Sequence, residues 1–307
     1  MTVFISQITG RFGDRCSAHL NMRQLANFLD TEWASPEWFG TERVFSRDKQ
    51  TFNIDRGFVT LSANEIWGFE KPYEKLKEIH EQYDIRLVHP YLGALFYGFC
   101  FVNPNTFLQK ELKHTINVEK IPNTVKAAVH LRGEDFLNKN HNDSWAADGR
   151  WKLGVHSYEF YKSCTQQILE DVKLQNKKLD KFIICTTAER SHPNLKKYLS
   201  FLEDNKINYK FGLEEECSID CDGHEYFKDW YQMAVSDYII TCPSVFSLTA
   251  GYFSNAKILF NYEWVKRSSN VKDKFWYDLF SGGNEFYSTW KYIDNDGIAR
   301  REGDNML

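Results

Sequence analysis

The chain has 307 residues, a length that fits two domains better than one small domain or three. Hydrophobic residues make up 42% of it and aromatic residues 16%, which is enough apolar material for two packed cores and argues against a disordered chain. With 38 basic and 42 acidic residues and a net charge of -4, the chain carries no excess charge that would favour nucleic acid or an anionic membrane as its main partner.

Seven cysteines, an odd number spread between Cys16 and Cys242, do not form the pattern of a disulfide framework, and we expect reduced thiols. The amino-terminal residues lack a basic segment followed by a long apolar core, so we expect neither a signal peptide nor a membrane anchor. The most apolar later stretch, residues 91–102, is shorter than the roughly 20 residues of a membrane-spanning helix and is predicted to be buried core. These features favour a cytoplasmic protein from a bacterium, or a viral protein in the host cytoplasm.

Strands and helices are predicted to alternate along the chain. A β-prone run over residues 2–8 is followed by a glycine-containing turn at 10–14 and by apolar residues at helical spacing from Leu20 to Leu29. Further strands are predicted at 124–131, 182–186, 209–213, 237–241 and 257–260. Helices are predicted between them at 157–172, 195–202, 226–235 and 246–253. This alternation is typical of a parallel α/β fold.

The predicted domain boundary lies in the mostly polar stretch 115–123, just ahead of the most regular alternation. We therefore expect an amino-terminal lobe of residues 1–120 and a carboxyl-terminal lobe of residues 121–307. Two lobes that face a cleft are the expected arrangement.

The segment His130-Leu131-Arg132-Gly133-Glu134-Asp135 carries the strongest chemical signal. It lies where a buried strand is predicted to end, and ligands of open α/β sheets bind outside the carboxyl ends of strands. An arginine can hold two phosphate oxygens at once, and it would stabilise the negative charge that grows on a departing diphosphate. The alternative is a structural ion pair between Arg132 and Asp135.

This segment resembles the HxRRGDY signature of the α-1,2-fucosyltransferases and the HxR pattern of the α-1,6- and protein O-fucosyltransferases. Two further segments resemble motifs of that superfamily in the same order. Residues 10–14 are similar to its GGLGNQ turn, and residues 229–247 are similar to its DLxLMSxCxxxIIxxSSFSWW stretch. The resemblance covers most of the chain and implies a GT-B-like fold with two Rossmann-like lobes. The amino-terminal lobe would bind the acceptor, and the carboxyl-terminal lobe would bind the donor nucleotide.

The resemblance also implies an activity. The protein would be an inverting glycosyltransferase that moves a sugar, foremost L-fucose from GDP-fucose, to a hydroxyl group of a glycan without a metal or other cofactor. Its partners would be the nucleotide-sugar donor and the glycan acceptor, with no nucleic acid.

Carried over by position, the motif gives His130 the role of orienting the donor-binding strand and gives Arg132 the diphosphate. Asp135 would hold Arg132 or a nearby loop. Asp14, Glu134 and Asp135 are the carboxylates that could remove the acceptor proton. A strong base is not required if the sugar departs with much oxocarbenium character.

The remaining donor-binding candidates lie beside a predicted strand end or helix start: Gly10, Gly13, Thr186, Asp229, Ser244, Phe246 and Ser247. Asp229 matches an acidic position of the guanine and ribose pocket. The serines would form an anion site at a helix N-terminus or serve as ordinary caps. The glycines would allow close backbone approach or form an ordinary turn. Thr186 is a candidate by position alone.

The chain departs from the family pattern where Gly133 and Glu134 replace an arginine and a glycine, so one phosphate-binding charge is absent. The sugar is therefore open, with rhamnose, xylose and galactose as alternatives. A catalytically silent protein that binds a nucleotide sugar or a glycan is a further alternative.

Three other sequence patterns could indicate a binding site. Asp220-Cys221-Asp222 and Asp294-Asn295-Asp296 spell the DxD of metal-dependent GT-A transferases, but the pattern is loose and both are expected in surface loops. Cys217, Cys221 and His224 lack the fourth ligand of a structural zinc site and are expected in a polar loop. The aromatic residues that offer glycan-stacking faces or core packing are Trp33, Trp38, Phe39, Trp67 and Phe69.

Overall fold

The computed structural model describes residues 2–6, 11–45, 57–62, 65–66, 70–88, 121–132, 158–188, 190–242, 244–254, 256–261, 291–293 and 299–300. Among these residues, no helix has the length and apolar character needed to cross a bilayer. The chain divides into two compact units, Met1–Thr115 and Ile116–Leu307. This division falls inside the polar stretch 115–123. The predicted buried core at 91–102 lies outside the described residues.

The first unit is built on a four-stranded parallel sheet in the order β2-β1-β4-β3. Its strands are β1 (Thr2–Ile5), β2 (Glu32–Ala34), β3 (Phe58–Ser62) and β4 (Asp84–Val88). Helix α1 (Phe12–Phe28) lies between β1 and β2, a π-helical turn spans Gly40–Val44, and helix α2 (Pro72–Gln82) precedes β4. Apolar side chains from one face of this sheet and from its two helices form one core, including Val3, Met22, Trp33, Leu76 and Ile85.

Helix α1 begins within the predicted glycine turn. Its first residue is Phe12, so Gly13 lies in the first turn of the helix and its assignment to the preceding turn is wrong. The Asp14 carboxylate accepts a hydrogen bond of 3.2 Å from the backbone N–H of Arg11, the residue that precedes the helix. Helix starts leave such N–H groups unpaired, and a carboxylate at this position satisfies one of them. Asp14 therefore stabilises the start of α1.

The aromatic residues proposed as glycan-stacking faces are buried where they are described. Trp33, Trp38 and Phe39 are 5–6% exposed, and Phe12 packs against Trp38 with a ring-centroid distance of 5.8 Å. Core packing, the alternative for these residues, is confirmed. Trp67 and Phe69 lie outside the described residues.

The second unit contains a seven-stranded sheet in the order β11-β10-β9-β8-β5-β6-β7, parallel except for the last pair, β10 and β11. The strands are β5 (Thr124–Leu131), β6 (Lys178–Thr186), β7 (Tyr209–Phe211), β8 (Tyr238–Ile240), β9 (Lys257–Asn261), β10 (Lys291–Ile293) and β11 (Ala299–Arg300). The helices are α3 (Tyr158–Leu174), α4 (Pro193–Asp204), α5 (Tyr226–Ala234) and α6 (Val245–Tyr252).

The predicted strands and helices of this unit are confirmed, with shifted ends. Strand β6 begins at Lys178, earlier than its apolar run. Gly212 and Leu213 were predicted to continue β7, but they belong to a 3-10 helical turn, Gly212–Glu214. The Glu214 carboxylate accepts a hydrogen bond of 3.4 Å from the backbone N–H of Phe211, which starts this turn and ends the strand.

The strand order reverses direction at β5. The chain runs from β5 to β6 and β7 on one side and then returns to β8 and β9 on the other side. One face of β5 packs with α3 and α4 through Val129 and Leu131. On the opposite face, Lys126 contacts Gln232 of α5 and His130 contacts Phe246 of α6. Read from β7 to β10, this is the order of a Rossmann-type sheet, which confirms the α/β prediction and the Rossmann-like character of this unit.

Six cysteines are described, and all of them are free thiols: Cys16, Cys164, Cys185, Cys217, Cys221 and Cys242. The prediction of reduced cysteines is confirmed for these positions. Cys100 lies outside the described residues.

Candidate functional site

Arg132 directly follows the last residue of β5, at the carboxyl edge of the second sheet. Its side chain is half-buried. Strand β5 pairs with β6 on one side and with β8 on the other, so Arg132 lies at the reversal of the strand order. The crevice outside the strand ends at such a reversal is where open α/β sheets bind ligands.

His130 is buried just below this edge, with 8% of its surface exposed. Its Nδ1 lies 3.1 Å from Sγ of Cys242, and its ring centroid lies 5.5 Å from that of Phe246. The hydroxyl of Tyr161 donates a hydrogen bond of 3.4 Å to the backbone carbonyl of His130. His130 therefore connects the end of β5 to the turn before α6. These contacts suit the strand-orienting role predicted for it.

The turn that follows β8 leads into the N-terminus of α6. Ser244 is the N-cap residue, and its Oγ accepts a hydrogen bond of 3.3 Å from the backbone N–H of Phe246. Ser247 is fully buried, and its hydroxyl donates to the carbonyls of Cys242 at 3.3 Å and Ser244 at 3.2 Å. Ser244 thus stabilises the helix start and Ser247 the turn. The positive end of the α6 dipole lies at the same edge as Arg132 and favours an anion there.

Asp229 is 7% exposed in the first turn of α5. Its Oδ1 is buried and has no hydrogen-bond partner among the described residues. Burial raises the pKa of Asp229 from 3.8 to about 7, while a hydrogen bond from the Thr186 backbone acts in the opposite direction. Gly212 packs directly on this carboxylate, because a Cβ atom at position 212 would lie 2.1 Å from Oδ1. Asp229 is thus a buried acid at the carboxyl end of the sheet.

Thr186 ends β6 and pairs in register with Leu131 of β5. Its hydroxyl donates a hydrogen bond to the Leu131 carbonyl and accepts one of 3.0 Å from the backbone N–H of Ala188. Thr186 therefore links the end of β6 to the end of β5. The link is made at Leu131, the residue directly before Arg132.

Several predicted residues lie outside the described part of the chain: Gly10, Gly133, Glu134 and Asp135. The assignments of Glu134 and Asp135 as catalytic residues, and of Gly10 to close approach of the donor, remain predictions. The structure brings His130, Arg132 and Thr186 to the same edge of the second unit.

The DxD pattern at Asp220 and Asp222 lies in the loop between the 3-10 turn and α5, as expected for a surface loop. Oδ1 of Asp220 accepts a hydrogen bond of 3.1 Å from the backbone N–H of Asp222, which closes a local turn. Within the described residues, no three His, Cys, Asp or Glu side chains are grouped as metal ligands. The second DxD, at 294–296, lies outside the described residues.

Sequence reasoning missed two residues at this edge. Cys242 contacts His130 although the two are 112 positions apart. Gly212 covers Asp229, with no room for a side chain. Their only signal in the sequence is position, since Cys242 directly follows a predicted strand and Gly212 lies one residue before the end of another. That signal does not indicate a partner.

No protein-family model and no curated protein sequence matches the chain. Among solved structures, a mutant of the Arabidopsis thaliana fucosyltransferase FUT1 in complex with GDP is similar at 10% identity and a TM-score of 0.48, over 84% of this chain and 69% of that chain. The fucosyltransferase POFUT1 is similar in its apo form at 12% identity and a TM-score of 0.45, over 82% of this chain and 94% of that chain. Its complex with GDP-fucose is similar at 13% identity and a TM-score of 0.41, over 84% and 95% of the two chains. These similarities assign no residue role and no ligand to this chain.

Proposed function

We propose that the protein is a glycosyltransferase that takes its sugar from a nucleotide-sugar donor. The donor diphosphate would bind at the carboxyl edge of the second sheet, between Arg132 and the N-terminus of α6. The observation that carries this proposal is the strand reversal between β5 and β8, which brings a permanently charged guanidinium and a helix N-terminus to one edge.

The chemical role of Arg132 follows from the charge on the leaving group. As the bond between the anomeric carbon and the diphosphate breaks, negative charge grows on the diphosphate oxygens. A fixed guanidinium stabilises that charge more than it stabilises the ground state, so it accelerates the transfer. The acceptor hydroxyl attacks the anomeric carbon from the opposite face, which inverts the configuration. Its proton passes to a base or to solvent, and Glu134 and Asp135 are the proposed bases.

The donor that we propose is GDP-fucose, on the strength of the three motifs that resemble the fucosyltransferases. Asp229, in the first turn of α5 next to the end of β6, would contact the base or ribose of a nucleotide that binds across this edge. The positive charge of Arg132 and the α6 dipole would serve in place of a metal ion. The acceptor would be a glycan hydroxyl bound by the amino-terminal lobe.

A second candidate is a protein that binds a nucleotide sugar without transferring it. The observation that favours it is Gly133, which stands where the α-1,2-fucosyltransferases carry a second arginine. With one phosphate-binding charge fewer, donor binding could persist while stabilisation of the leaving group falls below what turnover requires.

The first experiment is isothermal titration of the protein with GDP, GDP-fucose and a panel of UDP and CMP sugars, each with and without EDTA. GDP and GDP-fucose are the ligands in the complexes of the similar solved structures. Binding of a guanine nucleotide that EDTA leaves unchanged supports the proposal. Binding of a uridine nucleotide that is lost with EDTA would favour a metal-dependent DxD site instead. Donor hydrolysis or transfer to short glycans then separates an enzyme from a silent binding protein.

A further inference from the structure

Two thiols face each other in the loop that connects the 3-10 turn to α5. The side chains of Cys217 and Cys221 lie within hydrogen-bonding distance of each other. Cys221 also donates a hydrogen bond of 3.0 Å to the carbonyl of Ile219. Cys217 is partly exposed, whereas the described cysteines elsewhere in the chain are buried in the two cores. This pair is therefore the one that a dissolved reagent reaches most easily among the described thiols.

The pair lines an open cleft of about 710 Å³ at the surface of the second unit. Six acidic residues and one lysine belong to its lining: Glu214, Glu215, Glu216, Asp220, Asp222, Glu225 and Lys228. Three of the carboxylates form ion pairs, Glu214 with Arg190, Glu215 with Lys181 and Lys210, and Glu225 with Lys228. The six carboxylates still outnumber the four cations that pair with them, so the cleft keeps an excess of negative charge and favours a positively charged reagent over a negatively charged one.

We propose that Cys217 and Cys221 form a thiol modification site, which closes to an intramolecular disulfide by exchange with a small, preferably cationic, disulfide. This inference is independent of the proposed glycosyltransferase activity. A thiol modification site differs from both metal sites considered for this loop, the zinc site of Cys217, Cys221 and His224 and the DxD site of Asp220 and Asp222.

The exchange takes place in two balanced steps. Cys217, the more exposed thiol, loses its proton and attacks one sulfur of the small disulfide, so that a mixed disulfide forms and one thiolate leaves. Cys221 then loses its proton and attacks Sγ of Cys217, and the second thiolate leaves. Two electrons pass from the protein to the small disulfide, which is reduced to two thiols.

The surroundings of the pair set the pH dependence of this exchange. Burial raises the pKa of both thiols, to about 12 for Cys221, and the Glu225 carboxylate raises both further. The Lys228 ammonium acts in the opposite direction on both pKa values. The attacking species is the thiolate, so the exchange is slow at neutral pH and accelerates as the pH rises.

The loop is already held on both sides of Cys217. The side-chain amide of Gln232 donates a hydrogen bond to the Glu216 carbonyl, and the hydroxyl groups of Ser218 and Tyr231 lie 2.8 Å apart. Both partners belong to α5. A disulfide in this loop would close a short ring on a segment that is ordered in the native state, and so would restrict mainly the unfolded chain. The oxidised protein should therefore melt at a higher temperature than the reduced protein.

The test uses the whole folded protein, incubated with cystamine or with glutathione disulfide, then alkylated, digested and analysed by mass spectrometry. We expect the peptide that carries Cys217 and Cys221 to lose two hydrogen atoms, faster with cationic cystamine than with anionic glutathione disulfide and faster at mildly alkaline pH. The buried thiols Cys164 and Cys185 should be alkylated only after unfolding. A crosslink that forms only in denatured protein, or equal rates with the two reagents, would overturn the proposal.

Serine variants identify the order of attack. Cys221→Ser should stop at a mixed disulfide on Cys217, and Cys217→Ser should react with neither reagent at a comparable rate. The upward shift of the melting temperature on oxidation should be absent from both variants. A mixed disulfide that persists on Cys217 in the unmodified chain would show that Cys221 is not placed to displace it.

Discussion

Nδ1 of His130 lies 3.1 Å from Sγ of Cys242, and this contact joins the end of β5 to the turn that leads into α6. The same imidazole packs on Phe246 in the first turn of α6. One buried side chain thus fixes the two structural elements that would enclose a donor diphosphate.

We expect His130→Ala to lower the free energy of unfolding by about 2–3 kcal/mol, because it opens a cavity and leaves Cys242 without this partner. It should also weaken nucleotide binding, since the end of β5 is then free to shift from α6. Urea denaturation and isothermal titration measure the two effects. His224→Ala is the control, because that ring is only partly buried and contacts the hydroxyl of the exposed Tyr226 at the surface. Equal losses of stability in both variants would contradict the role of the buried contact.

Arg132→Ala should reduce sugar transfer on the order of 10²-fold or more while the protein stays folded, because the side chain is half-buried at a sheet edge. Arg132→Lys should also be impaired, since an ammonium does not reproduce the two-pronged contact of a guanidinium. Initial rates with the donor identified by titration provide the measurement. Lys178→Ala removes one positive charge from the amino end of the neighbouring strand β6, where the side chain is exposed, and should leave the rate unchanged. Near-normal turnover of Arg132→Ala would reject the assignment.

Gly212→Ala should destabilise the protein by about 1–3 kcal/mol, because its Cβ would lie 2.1 Å from Oδ1 of Asp229. Thermal or urea denaturation measures this cost. Gly57→Ala is a matched control, since the nearest side-chain atom would lie at an ordinary 3.6 Å. Removing the obstructing carboxylate in the double variant Gly212→Ala, Asp229→Ala should recover part of the loss. Strictly additive effects of the two changes would show that the clash is not the cause.

Asp229 should make stability depend on pH near neutrality. Burial raises its pKa to about 7 in the folded protein from 3.8, so the folded state binds the proton more tightly than the unfolded state. The tighter proton binding therefore adds fully to the free energy of unfolding below about pH 4. This contribution, at most about 4 kcal/mol, is lost as the pH rises through about 7.

Asp229→Asn should remove this part of the pH dependence, as measured by urea denaturation over a series of pH values. The control Asp204→Asn alters an exposed carboxylate on α4 and should leave the slope as it is. The unchanged protein and the two variants could also show the same slope of unfolding free energy against pH between mildly acidic and neutral pH. In that case the carboxylate of Asp229 is not the source of the pH dependence.

The alternation of strands and helices in the second unit was predictable because each element carries its own local pattern. Strand β5 is a largely apolar run from Val125 to Leu131 that is followed by a charged residue, and α3 and α4 have clear helical periodicity. In the first unit, helix α2 and the strands β2, β3 and β4 were not predicted. Strand β2 is three residues long, and β3 begins with the exposed Phe58, so neither contains enough alternation to be recognised.

Gly13 was predicted to lie in a turn but belongs to helix α1. A glycine between a strand and a helix is typical of a turn, yet the carboxylate of Asp14 captures the N–H of Arg11 and starts the helix before Gly13. The hydrogen bond that a neighbouring side chain offers outweighs the turn preference of the glycine.

The sequence alone determined that Arg132 lies at the end of a buried strand, because the apolar run and the charged residues after it are adjacent in the chain. It did not determine what lies beside that strand end. The tertiary structure places β8 against β5, and thereby brings Cys242 to His130 and the N-terminus of α6 to the edge that carries Arg132. Strand order and packing decide which distant residues become neighbours. Both depend on the burial of whole layers, which local periodicity does not encode.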